Sequence, residues 1–287
     1  MKKKSLAVNI LLALSATAFM PMGAWAAEIT NQDSGGGVYV NNNTFTYNDT
    51  EENSEITGFG IRAGKNSTVT LNVNNLDMNV EDKYSSSTSA AGGISIDNKN
   101  GNTESKITIN ANGNVNLINK EPVNLKDLSG IYINSGSIGT ATKYGQSTLE
   151  IDLNQKGNFV IDSFQNGMTL DKNSNVEIKN AFDITIKNNS NDGLKITPLI
   201  KTSSDNVSGE INLSASNNIN FINNKINGIE IRQNSGKIQL NAGRDIIFDN
   251  SNKNTDNRIG TAINMYNSHL IGEAESNIMF NAGNKRI

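Results

Sequence analysis

The sequence predicts an all-β chain: a right-handed parallel β-helix, or β-solenoid, of about seven three-strand coils with the final coil incomplete. Two observations on repeats and one on composition predict it. The phrase Gly-apolar-any-apolar recurs at spacings of 26 to 37 residues, and two further apolar-any-apolar triplets follow most copies. Repeats of that length mean a solenoid or an array. The 287 residues also include 50 Asn and 25 Gly, which are poor in helices and good in turns.

The elements are justified in chain order. Lys2, Lys3 and Lys4 precede an apolar run from Leu6 to Met20, and Ala24-Trp25-Ala26 supplies small residues for a signal peptidase. This order reads as a secretory signal peptide over residues 1–26, cleaved between Ala26 and Ala27. The mature chain keeps 22 basic residues (25 minus Lys2, Lys3 and Lys4) against 28 acidic ones, a net charge of −6. Residues 27–57 show no clear repeat and are expected to cap the stack, using Val38-Tyr39-Val40 and Phe45-Thr46-Tyr47.

Residues 58–287 carry the repeats. The first triplet follows Gly60, Gly93, Gly130, Gly167, Gly193 and Gly228, with a degenerate copy at Thr261-Ala262-Ile263. The second starts at Ile107, Ile151, Val176, Ile211 and Ile238; the third starts at Val115, Phe159, Ile184, Ile219 and Ile246. Second and third triplets start 8 residues apart in all five cases, which predicts a fixed corner. The corner before the second strand varies in length, as surface loops do. In each triplet the two apolar residues point inward and the middle one outward. One coil cannot bury its own inner face, so stability is expected from neighbour stacking. Asn110, Asn154, Asn241 and Asn281 follow second-strand triplets in this reading and are expected to stack as an amide ladder. Ile278-Met279-Phe280 resembles the second strand at Ile238-Gln239-Leu240, so the chain is expected to end in mid-coil as the N-terminal part of something longer.

The composition excludes several chemistries. There is no Cys and a single His, His269, read as a loop residue, so no multi-His or Cys metal centre is expected. The acidic balance gives no reason to expect nucleic acid. No cofactor is expected. Asp33-Ser34-Gly35-Gly36 looks like a serine-protease nucleophile loop but has no upstream His and Asp. Gly58-Phe59-Gly60-Ile61-Arg62-Ala63 fits a dinucleotide fingerprint that needs a following helix, yet a strand pattern follows. Asp171-Lys172-Asn173 starts like a Ca²⁺ loop, but Val176 occupies the glycine position. The remaining catalytic candidate is Asp152 with Glu177. In register on successive coils their carboxylates would stand roughly 5 Å apart, the inter-strand spacing, as acid/base chemistry on a polysaccharide requires.

An exported, Cys-free, Asn- and Gly-rich solenoid starting directly after a signal peptide resembles the passenger domain of a type V autotransporter of Gram-negative bacteria. The resemblance covers residues 1–287 and rests on repeat style. It implies Sec export, outer-membrane passage through a C-terminal β-barrel, and display at the cell surface. No barrel-like segment is present in this sequence, and a chain without one would stay periplasmic. The expected role is an adhesin-like rod, not an enzyme, that binds surface glycans or matrix proteins through loops 134–150, 197–210 and 266–277. The alternatives are a β-helix polysaccharide lyase or glycoside hydrolase, and an inactive remnant.

Overall fold

The computed structural model describes residues 27–28, 37–81, 92–98, 104–120, 128–135, 146–154, 156–170, 174–196, 209–231, 236–249, 261–265 and 269–281. The signal segment 1–26, with Ala24 and Ala26, lies outside these, as do Asp33–Gly36, Asp171–Asn173 and residues 136–145, 197–208 and 266–268 of the three loops named above. The expected loop 266–277 is otherwise mostly the strand His269–Ala274, and the expected loop 134–150 ends in the strand Ser147–Asp152, because both pair with neighbouring coils. Ala27 is described, in the two-residue strand Ala27–Glu28.

Every element among the described residues is a strand. The pairings between them are parallel, and the chain forms a parallel β-helix with three faces. The first face has eight strands: Val38–Val40, Ile61–Ala63, Gly92–Asp97, Ser129–Asn134, Asn166–Leu170, Asp192–Ile196, Asn227–Ile231 and Thr261–Met265. The second runs through Ser105–Ala111, Ser147–Asp152, Ser174–Ala181, Gly209–Ala215, Gly236–Ala242 and His269–Ala274. The third runs through Val115–Asn119, Phe159–Asp162, Ile184–Lys187, Ile219–Ile222, Asp245–Asp249 and Asn277–Asn281. In the first two coils the second and third faces are continuous, as Thr44–Gly58 and Thr68–Val80.

Registers follow the inward residues. On the first face Val38, Ile61, Ile94, Ile131, Met168, Leu194, Ile229 and Ile263 stack in one column. On the third, Leu76, Val115, Phe159, Ile184, Ile219, Ile246 and Ile278 do the same. The first- and third-strand alignments expected from the repeats are those observed. Most inward residues are fully buried in one continuous core. Each buried Ile or Leu contributes roughly 1.5–3 kcal/mol by leaving water. Phe221 and Phe248 stack inside it with ring centroids 4.8 Å apart, and Phe280 continues the stack at 5.2 Å.

The glycines before the triplets at Ile131, Met168, Leu194 and Ile229 are required by close approach. A Cβ on Gly167 would lie 2.4 Å from the Gly193 carbonyl oxygen and 2.5 Å from Ile186 Cγ2. At Gly167 the third face packs so tightly against this corner that only hydrogen fits; the last coil carries Ala262 in the same place.

Four expectations are corrected. First, residues 38–58 are not an irregular cap. Val38 pairs in register with Ile61 and Phe45 with Val69, so this segment is itself a coil and the stack has eight. Second, Ile278 and Phe280 pair with Ile246 and Phe248, so Asn277–Asn281 is a third-face strand. The second-face strand of that coil is His269–Ala274, which gives the coil strands on all three faces and places His269 in a strand. Third, the constant corner has one exception. Leu149, not Ile151, pairs with Ile107 and Val176, so the coil containing it holds two extra corner residues around Asn154 and Gly157. Asn154 there adopts φ = 51°, a left-handed backbone that Asn tolerates. Fourth, length variation is not confined to one corner: Val80 to Gly92 and Asp249 to Thr261 are long third-to-first connections, whereas Asp162 to Asn166 is short.

Candidate functional site

The second face is a flat grid of outward side chains, and the candidate carboxylates lie on it. The register separates them. Asp152 pairs with Lys179, while Glu177 pairs with Glu150 and Asn212. Asp152 Oδ1 is held at the corner by Asn154 N (3.1 Å) and Asn180 Nδ2 (3.0 Å). The expected Asp152–Glu177 stack is therefore absent. The two-residue slip arises because Ile151 and Leu149 are equally good inward residues, and the corner insertion decides between them. Glu150 and Glu177 do stand in register, but each has its own cation: Lys106 lies 2.9 Å from Glu150, and Lys179 lies 3.6 Å from Glu177. Glu210 and Lys237 add a third pair at 3.3 Å. A shallow hollow of about 350 Å³ runs over this grid between Glu177, Lys179, Glu210 and Gln239.

The Asn ladder exists, with different members. Asn110 donates to Asn72 Oδ1 at 2.7 Å, and Asn72 donates to Asn48. Asn154 donates to Asn112 instead, Asn241 pairs with Ser214 and Glu273, and Asn281 belongs to the third face. A longer ladder crosses all eight coils directly before the third face. Its members are Asn53, Asn75, Asn114, Asn158, Asp183, Asn218, Asp245 and Asn277. Asn75 Nδ2 donates to Asn53 Oδ1 at 2.7 Å. From there each side-chain oxygen accepts the backbone N–H of its counterpart in the next coil, at 2.6 to 3.2 Å. The sequence signal was an Asn or Asp directly preceding every third triplet.

The first face holds a group that the sequence reading missed. Asp192 and Asn227 precede the glycines of coils six and seven, and Asn227 Nδ2 donates to Asp192 Oδ1 at 2.7 Å. Lys195 and Glu230 are the outward middle residues of the same strands and are register partners. Lys195 Nζ lies 3.6 Å from Asp192 Oδ2 and 3.5 Å from Glu230 Oε2. Burial pushes the Asp192 carboxyl up to about 6, and the nearby Glu230 charge adds to the rise, while the Asn227 hydrogen bond and Lys195 oppose it. An outward middle residue is expected to be solvated; that Glu230 is only 4% exposed could not be read from alternation.

The dinucleotide-like segment is structural. Gly60 takes φ = 76° and is followed by the strand Ile61–Ala63, and the Arg62 guanidinium sits 4.6 Å over the Phe59 ring. Among the described residues no three His, Cys, Asp or Glu side chains gather as a metal site would require, and no helix is long and apolar enough to cross a membrane. Comparison with known protein families, curated proteins and solved structures gives no match.

Proposed function

We propose that this chain is an exported surface rod, the adhesin-like passenger of an autotransporter-type system, binding glycans or matrix proteins along its sides. One observation carries the reading: eight stacked coils among the described residues present a second face lined by cross-coil ion pairs, Lys106–Glu150 and Lys237–Glu210, beside the Glu177–Lys179 pair. Large partners are bound by such surfaces. The signal segment 1–26 supports Sec export with cleavage at Ala26–Ala27. Outer-membrane passage in this reading uses a β-barrel supplied from outside residues 1–287. For the polysaccharide-enzyme alternative the register replaces the expected Asp152–Glu177 pair by Glu150–Glu177, each carboxylate beside its own lysine.

The test is binding of purified residues 27–287 to arrayed glycans and to immobilised matrix proteins. Saturable binding that drops at least tenfold when the loop segments 136–145 and 197–208, which leave the strands Ser147–Asp152 and Gly209–Ala215 intact, are shortened supports the proposal. Binding to none of these partners, or depolymerisation of a polysaccharide, counts against it.

A further inference from the structure

The Lys195 cluster places charge where a solenoid normally places solvated side chains. Glu230 and Asp192 side chains are 5% and 3% exposed, and Lys195 is 21% exposed. Lys195 Nζ contacts both carboxylates. Removing charges from water costs several kcal/mol per ion unless pairing compensates, so chemistry that lowers the charge count in so buried a group is favoured.

We propose that Lys195 and Glu230 condense to an intramolecular amide, an isopeptide bond joining coils six and seven, with Asp192 as the acid–base group. The partners are in register on adjacent strands, and the nitrogen stands in ion-pair contact with the carboxyl group, 3.5 Å from Glu230 Oε2, so the two groups are held together before any bond forms. The ammonium passes a proton to the Glu230 carboxylate within the ion pair. The freed amine attacks Glu230 Cδ, and the C–N bond forms. Asp192 in its neutral form gives its proton to the departing oxygen as the C–O bond breaks, and then takes the surplus proton from nitrogen. Water leaves and Asp192 ends as it began. The overall change is ammonium plus carboxylate to amide plus water, with no other reactant. Burial keeps the Asp192 proton available near neutral pH, and Asn227 holds its other oxygen in place.

The fold contains its own controls. Lys106–Glu150 and Lys237–Glu210 are also ion pairs between neighbouring coils, but their side chains are about one-third or more exposed. Water keeps such pairs charged. They are expected to remain unlinked.

The experiment is mass spectrometry of purified residues 27–287. The expected mass is one water below the sequence mass, with a branched peptide joining the Lys195 and Glu230 segments after proteolysis. Lys195→Arg keeps the charge and restores the full mass. Asp192→Ala, with an unchanged circular dichroism spectrum, stays unlinked. The wild-type mass decides the matter even where a variant fails to fold. A full wild-type mass overturns the proposal. So does a water loss mapped to another pair, or loss of ammonia with the branch at Asn227. Linkage persisting in Asp192→Ala overturns the role given to Asp192.

Discussion

At the residue scale this protein depends on positions where one atom more or less changes a contact repeated along the stack. Gly167 is such a position. Its substitution by Ala drives a methyl into the Gly193 carbonyl and Ile186. Gly167→Ala is expected to lower stability by about 1–3 kcal/mol in chemical denaturation. Gly272 is the contrast, because its nearest contacts would be 3.6 Å away. There Ala should be neutral or stabilising by up to about 1 kcal/mol. Asp183 sits mid-ladder, its Oδ1 accepting from both Asn218 N and Asn217 Nδ2 at 2.9 Å. Asp183→Ala leaves a backbone N–H without its acceptor and should cost about 1–3 kcal/mol, while Asp183→Asn keeps the oxygen and should cost less. Equal losses for the two variants would show that the ladder contributes nothing at this rung. The glycine was legible in the sequence as a recurring position, because a repeat writes one steric rule many times; the Asx recurs before each third triplet too, but only the stacking of coils makes it a ladder.

At the element scale the strand columns convert alternation into faces. A triplet fixes which residues point in; it does not fix which triplet of an ambiguous run is used. Leu149-Glu150-Ile151 and Ile151-Asp152-Leu153 both satisfy the pattern, so the local sequence leaves a two-residue choice. The corner around Asn154 and Gly157 makes that choice, and with it removes one carboxylate pair and creates another. The paired strands Asp192–Ile196 and Asn227–Ile231 carry a pH-sensitive contact by the same logic. Asp192 moves from an ordinary value of 3.8 to about 6 on folding. Between those values the folded chain holds a proton that the unfolded chain releases. Its contribution is therefore complete below about pH 4 and lost as pH rises through about 6, on the order of 1–3 kcal/mol. Asp192→Asn should flatten the pH dependence of the denaturation midpoint across this window. The slope is the readout, and an unchanged slope would remove Asp192 as its source.

At the scale of the whole molecule, stability is a sum of coil-to-coil interfaces. Residues 163–187 form one coil, running from the corner after Asp162 through the strand Ile184–Lys187. Joining Asp162 to Asn188 puts inward Leu149 against Ile211 and Phe159 against Ile219, apolar on apolar. The shortened chain is expected to keep its β circular dichroism spectrum and cooperative unfolding, with a smaller denaturant slope in proportion to the surface lost. Collapse of the fold would show that the coils are not interchangeable units.

The sequence by itself determined the repeat, its three strands per coil, the inward residues of two faces and the glycine corner. These are local rules of alternation and steric fit, and the chain states them repeatedly. The tertiary structure alone decided the register of the coil around Leu149, the membership of the Asn ladders, the coil formed by residues 38–58 and the burial of Lys195 with Asp192 and Glu230. Those depend on which coil lies beside which, and on how corners of unequal length bring residues distant in the chain to adjacent rungs. Stacking is a property of neighbours in space, and no single triplet contains it.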